Sequence, residues 1–178
     1  MNHPPGCACQ GLLNRAPRRA LLAALAAAPL AAAPRSARAA TGRYEAMLLN
    51  CIDPRFTTSS FAWMGDESLR DRYSQFTIAG GPIGVVHPRF AAWAPAFWEN
   101  LAISVDLHAI HTVIAMTHRD CGAARLAYGE AAVATPQAET ETHAAALHAF
   151  RAALAERHPT LTLRAGVMGL DGAFQPIA

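Results

Sequence analysis

The chain has 178 residues, 52% of them hydrophobic, which suits one domain with a buried core. The first 39 residues contain five arginines and no acidic residue; without them, ten arginines and 13 acidic residues remain, and the formal net charge changes from +2 to −3. No basic run with interleaved aromatic residues is present, which argues against a nucleic-acid partner.

The first 39 residues have the organisation of an export signal. An arginine-rich stretch with the pair Arg18-Arg19 precedes the apolar run 20–33, and the small residues of "SARA" (36–39) end it. This pattern is typical of a cleaved secretory signal, the arginine pair is similar to a twin-arginine (Tat) signal, and the run is too short for a stable membrane span. We therefore expect a mature domain at 40–178 that is periplasmic or secreted. The alternative is an alanine-rich extension or a misplaced start codon, which would leave the protein in the cytoplasm.

Strand and helix patterns alternate along the mature chain. In chain order we predict a strand at 45–51, a helix at 60–72, a strand at 74–86 that ends in a Gly-rich turn, a helix from about Pro95 to His108, a strand at 111–116, a helix after Cys121, a helix at 137–159 and a strand at 160–169. In the longest helix, Ala146, Leu147, Phe150 and Leu154 lie on one face. The alternation favours a single α/β domain with a mostly parallel central sheet flanked by helices.

Potential metal ligands follow two of the predicted strands. Cys51 lies at the carboxyl end of the first strand, and His118 and Cys121 lie just past the carboxyl end of the third. Ligands of open parallel sheets bind beyond the carboxyl ends of the strands, so the three residues converge if these strands are neighbours. Two thiolates and one imidazole suit Zn²⁺. From the residues alone, a disulfide between the cysteines or two buried thiols are the alternatives.

An acidic and a basic residue follow the first cysteine, in "CIDPR". An acid beside a metal-bound water can accept its proton or a hydrogen bond, and a guanidinium can orient that acid and keep it ionised. Asp53 and Arg55 are therefore candidates for catalysis. The alternative is a structural ion pair.

Three motifs together resemble the β-class carbonic anhydrases. They are C-x-D-x-R at 51–55, A-G-G at 79–81 and H-x-x-C-G at 118–122. The resemblance covers the mature chain from about residue 45 to residue 172, and the order, spacing and predicted topology agree with it.

The resemblance implies a role for each matching residue. Cys51, His118 and Cys121 would bind zinc, and Asp53 would hydrogen-bond to the zinc-bound water or, in a resting form, occupy the fourth coordination position. Arg55 would pair with Asp53 and draw it off the metal. The implied activity is reversible hydration of carbon dioxide to bicarbonate with zinc-bound hydroxide as the nucleophile. The implied assembly is a homodimer or a higher homo-oligomer with the active site near the subunit interface.

Some positions depart from the family's pattern. Pro54 stands where the family usually has Ser or Ala, Thr117 replaces a glycine, and "TIAGG" lacks the arginine and asparagine that usually precede the Ala-Gly pair.

Two other functions fit the same motifs: hydrolysis of CS₂ or COS on the same fold, and a non-catalytic zinc-binding or bicarbonate-sensing module. Four apolar residues are expected to line the substrate pocket: Ile52, Ile78, Ala79 and Val85.

The remaining polar residues receive structural interpretations. His108 and His111 are predicted to mark the solvated end of a helix. His143 and His148 are predicted to lie on the exposed side of the last helix, and Asp120 is predicted to cap the helix that follows it.

Overall fold

A five-stranded sheet is the centre of the computed structural model, which describes residues 42–178; the predicted signal at 1–39 lies outside these residues. The strands are β1 (Ala46–Asn50), β2 (Tyr73–Thr77), β3 (Thr112–His118), β4 (Thr162–Met168) and β5 (Phe174–Pro176). The α-helices are α1 (Thr57–Asp66), α2 (Pro82–Val86), α3 (Ala94–His108), α4 (Gly122–Tyr128) and α5 (Pro136–Arg157). Among the described residues, none of the helices combines the length and hydropathy needed to cross a membrane.

The strand order is β2-β1-β3-β4-β5. The first four strands are parallel, and β5 pairs with β4 in the antiparallel direction. The predicted mostly parallel α/β sheet is therefore confirmed. β1 and β3 are direct neighbours, with Ala46 opposite Thr112 and Leu49 opposite Ala115, so their carboxyl ends meet at the same end of the sheet.

Helices cover both faces of the two central strands. Met47, Leu49 and Val113 belong to one core cluster, whose other members include residues of α3 and α5. Ala46, Leu48 and Ile114 belong to a second cluster together with residues of α1. Burial on both faces explains why these strands are continuous apolar runs rather than alternating ones. The predicted face of α5 is confirmed, because its four residues are all buried: Ala146, Leu147, Phe150 and Leu154.

The largest differences from the predicted elements concern the second strand, the first helix and β5. The second strand ends at Thr77 instead of residue 86, because Gly81 (φ 55°) turns the chain and Pro82 begins α2. The first helix spans 57–66 instead of 60–72, and Ser68 (φ 62°) follows its end in the left-handed conformation. β5 was not predicted, because three residues ending in proline are too few to form an alternating pattern.

His143 is fully buried, so the prediction that it lies on the exposed side of α5 is wrong. Residues three, four and seven positions apart share a helix face, and His143 stands at these spacings from Ala146, Leu147 and Phe150. Its position on the helix therefore decided its burial, in spite of its polar side chain. His148 is exposed, as predicted.

Candidate metal centre

The carboxyl ends of β1 and β3 bring three potential metal ligands together. Cys51 directly follows β1, His118 is the last residue of β3, and Cys121 immediately precedes α4. The two sulfur atoms and an imidazole nitrogen lie within 4.8 Å of one another, and no other group of this kind occurs in residues 42–178. Both cysteines are free thiols. The predicted convergence is thus confirmed.

One imidazole nitrogen of His118 forms a hydrogen bond, and the other has no hydrogen-bond partner. Nδ1 lies 2.9 Å from the carbonyl oxygen of Arg119, and because a carbonyl can only accept, Nδ1 carries the proton. Nε2 is therefore left with a lone pair, and it is buried without a hydrogen-bond partner. Leaving a buried polar atom unsatisfied costs about 1–3 kcal/mol. A metal ion bound at Nε2 would satisfy this atom.

The two thiols form a site that needs a positive charge before both can ionise. The neighbouring Cys121 thiol lowers the pKa of Cys51, and the Gly80 N–H, which lies 3.2 Å from its Sγ, lowers it further. The same proximity to Cys51, together with burial, raises the pKa of Cys121. A bound divalent cation deprotonates coordinating thiols. The donor set of two thiols and one imidazole nitrogen therefore fits a zinc ion.

The turn that supplies the Gly80 N–H approaches both central strands closely. Gly80 and Gly81 have φ values of 77° and 55°, which favour glycine. A Cβ atom on Gly81 would lie 2.9 Å from the carbonyl oxygen of Met116 and 3.1 Å from the carbonyl carbon of Asn50. The A-G-G motif thus acts here through its backbone, by placing an N–H donor against Cys51.

Asp53 and Arg55 form a bidentate ion pair beside the cluster. Arg55 Nε donates to Asp53 Oδ1 (3.0 Å), Nη2 donates to Oδ2 (2.7 Å), and the Arg55 backbone N–H also donates to Oδ1 (3.0 Å). The side-chain bonds from Arg55 are the main reason that the pKa of Asp53 is lowered to about 2. Asp53 is therefore ionised at neutral pH. The predicted pair is present.

The two off-pattern residues next to the site fit the local backbone. Pro54 begins the 3₁₀ turn Pro54–Phe56, for which its fixed φ is suitable. Thr117 is fully buried, and its hydroxyl donates to the carbonyl oxygen of Gly166 on β4 (3.4 Å). Neither residue displaces a potential ligand.

Asp120 does not cap α4, so that prediction is wrong. Its backbone is in the left-handed conformation (φ 56°), and Cys121, in an extended conformation, occupies the cap position. The Asp120 carboxylate instead accepts a hydrogen bond from Arg55 Nη1 (2.7 Å), and its carbonyl oxygen accepts one from Nη2 (3.0 Å). Its N–H donates to Glu139 Oε1 (2.6 Å).

A cavity of about 570 Å³ borders Cys121 and the Asp53–Arg55 pair. Four further charged residues of its wall were missing from the predicted site, namely Arg119, Asp120, Arg125 and Glu139. None of the four predicted apolar wall residues lines this cavity: Ile52, Ile78, Ala79 and Val85. Val85 is buried in the core instead, and the Ile52 side chain is exposed to solvent. The mouth of the site is therefore more polar than predicted.

Sequence comparison finds relatives whose function is unknown. An uncharacterised protein of Rickettsia conorii is 28% identical over 131 residues, which cover 74% of this chain and 70% of the relative. An uncharacterised protein of Rickettsia bellii is 29% identical over 131 residues, which cover 74% of this chain and 80% of the relative. No protein-family model matches the sequence.

Several solved structures that are similar to this chain are β-carbonic anhydrases. Isoform I from Trichomonas vaginalis has a TM-score of 0.51 and 15% identity, covering 91% of this chain and 98% of its own. A β-carbonic anhydrase of Aspergillus fumigatus has a TM-score of 0.51 and 14% identity, with 76% of each chain covered. One of two tetrameric enzymes of Sordaria macrospora has a TM-score of 0.50 and 13% identity, covering 77% of this chain and 82% of its own. The chain thus has the fold of these enzymes.

Proposed function

We propose that this chain is a zinc-dependent carbonic anhydrase, which interconverts carbon dioxide and bicarbonate. The observation that carries the proposal is the convergence of Cys51, His118 and Cys121 within 4.8 Å. The Asp53–Arg55 pair next to this cluster, and a fold similar to that of β-carbonic anhydrases, support it.

In the proposed site, Cys51 and Cys121 bind zinc as thiolates and His118 binds it through Nε2. Zinc held by these three residues would leave a position open for water and would lower the pKa of that water to near neutrality. The hydrogen bond from His118 Nδ1 to the Arg119 carbonyl orients the ring and keeps the lone pair on Nε2.

Asp53 and Arg55 have complementary roles in the proposed reaction. Arg55 keeps Asp53 ionised through its side-chain hydrogen bonds, so Asp53 can accept a hydrogen bond from the reacting water. The same bonds hold the carboxylate in one orientation. The Asp53 side chain is only 18% exposed, which limits competition from bulk water for its oxygen atoms.

The charges around the cavity balance one another. Its wall carries three guanidinium groups and three carboxylates: Arg55, Arg119, Arg125, Asp53, Asp120 and Glu139. A balanced mouth suits a reaction whose substrate is neutral and whose product is a monovalent anion, because it binds neither so strongly that exchange stops.

Zinc content and stopped-flow hydration of carbon dioxide, measured on one sample of the full chain, test the proposal. We expect about one zinc per chain, in line with a complete three-ligand set, and hydration faster than in buffer alone. Asp53→Ala should abolish most of the activity while the zinc stays bound. Asp106→Ala is the matched control, because Asp106 is exposed on α3 and lies outside the site.

Two outcomes would replace the proposal by the other functions that the motifs allow. Turnover of CS₂ or COS without hydration of carbon dioxide would indicate a hydrolase on the same fold. Zinc binding with no turnover of any of these substrates would indicate a non-catalytic module. A metal-free protein with a disulfide between Cys51 and Cys121 would contradict all of these functions.

We also propose that the first 39 residues direct export through the twin-arginine pathway, and that the mature chain works outside the cytoplasm as a homo-oligomer. The motif around Arg18-Arg19 supports the first statement, and the similarity to the tetrameric Sordaria enzymes supports the second. Cell fractionation should find a shortened periplasmic or secreted form that disappears when both arginines are changed to lysine. Sedimentation equilibrium should give at least twice the mass of one chain.

A further inference from the structure

Glu139 on α5 is a largely buried carboxylate with no role in the proposed reaction. Its side chain is only 12% exposed, and burying a charge is costly unless partners compensate it. Oε1 accepts the N–H of Asp120 at 2.6 Å, and Oε2 accepts Arg119 Nη1 at 3.3 Å. His143 Nε2 lies 3.8 Å from Oε1. The strongest contact of this carboxylate is therefore with the loop that leads from His118 to Cys121.

Asp120 connects Glu139 to the candidate site. Its φ of 56° lies in the left-handed region, which Asp adopts more readily than most residues but which its surroundings still have to select. The bond from its N–H to Glu139 is one such restraint. In this conformation both its carbonyl oxygen and its carboxylate accept hydrogen bonds from Arg55.

The guanidinium of Arg55 is consequently held from two sides. Nε and Nη2 donate to Asp53, and Nη1 and Nη2 donate to Asp120. Arg55 is 48% exposed, and a long side chain at such a position is otherwise free to change rotamer. The contacts with Asp120 restrict it to the orientation that pairs with Asp53.

We propose that Glu139 and Asp120 are positioning residues, which hold Arg55 against Asp53 and so keep the Asp53 carboxylate engaged with Arg55. Glu139 orients the Asp120 backbone, Asp120 anchors the guanidinium, and the guanidinium orients Asp53. This inference rests on the proposed function for its effect on catalysis. The chain of contacts itself is independent of the metal.

Hydrogen exchange of the Arg55 Nε–H, followed by NMR on the metal-free protein, tests the positioning role directly. Glu139→Ala should increase the exchange rate about tenfold, because losing one hydrogen bond to a charged group makes the opening of this contact easier by about that factor. Glu139→Gln should keep most of the protection, because its amide oxygen can still accept the Asp120 N–H. Glu141→Ala is the matched control, since Glu141 is exposed on the same helix and bonds only to Gln137.

Substitution of Asp120 distinguishes the contribution of its backbone carbonyl from that of its carboxylate. Asn tolerates the left-handed conformation as Asp does, so Asp120→Asn keeps the carbonyl contact and removes only the charge. Because the Asp120 side chain is 73% exposed, the exchange rate of the Arg55 Nε–H should rise only about threefold, as expected for a solvated ion pair.

Kinetics on the zinc-loaded protein extend the test to catalysis. We expect Glu139→Ala to lower kcat/KM for carbon dioxide hydration about tenfold with unchanged zinc content, and Glu139→Gln to recover most of it. Unchanged exchange of Arg55 in Glu139→Ala, or equal effects of Ala and Gln, would overturn the inference. If Glu139→Ala fails to fold, Asp120→Asn still tests the anchoring of Arg55, and an unchanged exchange rate in that variant would overturn the inference. A wild type without zinc or hydration would contradict the proposed function, while the exchange measurement would still decide the positioning role.

Discussion

The two ends of the parallel strands both gather ionisable side chains but arrange them differently. At the amino end, His111 Nε2 lies 2.8 Å from Glu45 Oε2, and Arg72 also donates to Glu45. His108 Nδ1 lies 2.8 Å from the hydroxyl of Ser74. Every one of these groups has a partner in the protein, and His111 is exposed to water as well.

At the carboxyl end, the side chains converge without satisfying one another. His118 Nε2 is buried with no hydrogen-bond partner, and the thiols of Cys51 and Cys121 both lie within 4.8 Å of the imidazole. Polar groups that form hydrogen bonds or ion pairs with one another are typical of a solvated cluster. Buried atoms that can bind a metal, such as an imidazole nitrogen without a hydrogen-bond partner, are typical of a ligand site. His108 and His111 therefore have a structural role, as predicted.

Removing one histidine from each end should give the largest contrast. His118→Ala should reduce the zinc content from about one per chain to nearly none, because two thiolates alone make an incomplete site. His111→Ala should leave the zinc content unchanged. Elemental analysis of the two purified variants measures the contrast, and equal zinc content in both would break it.

Removal of the metal from the carboxyl ends of the strands should destabilise the protein. Zinc at a thousandfold excess over its Kd would stabilise the folded state by about 4 kcal/mol, so a chelator should lower the Tm of the wild type by roughly 10 °C. In His118→Ala the chelator should have no effect. A wild-type Tm that does not respond to the chelator would show that the carboxyl end is no more dependent on a ligand than the amino end.

The buried His143 should make stability depend on pH. Burial is the main cause that lowers its pKa from 6.5 to about 4; the charge of Arg119 acts in the same direction, while Glu139 opposes both. The unfolded chain therefore takes up this proton at a higher pH than the folded chain. The contribution of His143 to the free energy of unfolding is therefore fully present above about pH 6.5. It is lost progressively as the pH falls towards 4, and the total loss is about 3 kcal/mol.

Urea unfolding of His143→Leu across this pH range measures that contribution. The variant should lose the part of the pH slope that His143 causes, and at neutral pH it should be as stable as the wild type, because the unpartnered ring nitrogens are gone. His148→Leu, an exposed position on the same helix, is the control and should keep the slope. A slope that is identical in wild type and His143→Leu would contradict the prediction.

The smallest effect is expected at the amino end. Glu45→Gln removes the charge that pairs with Arg72 and His111, but surface ion pairs contribute little because water screens them. Differential scanning calorimetry should show a change in Tm of no more than about 2 °C. Zinc content and hydration should be unchanged, and a loss of either would mean that the two ends are coupled.

Much of the fold could be predicted because apolar periodicity is a local property. β1 and β3 have the apolar runs of buried strands, and the spacing of Ala146, Leu147 and Phe150 placed the core face of α5. The boundary errors fall where a single residue changes the backbone, as at Gly81 and Pro82. The prediction for His143 was wrong because its place on the core face of the helix outweighs the polarity of its side chain.

The candidate site was predictable only where its residues follow a strand. Cys51 and His118 could be placed at the ends of two strands, and Cys121 came with His118 in one motif. Glu139 has no such signal. It lies 19 positions from the residue whose N–H it accepts, within a helix whose pattern reports only packing.

The sequence by itself determined the alternation of strands and helices and the supply of two thiols, an imidazole and an Asp–Arg pair near strand ends. These are local properties, since hydrophobic periodicity and residue chemistry are read within a few positions. The tertiary structure decided that β1 and β3 are neighbours, that His118 Nε2 is left without a partner, and that Asp120 anchors Arg55. Whether such polar contacts form depends on differences of a few tenths of an ångström in the distance between remote segments. The packing of the whole sheet and its helices sets these distances.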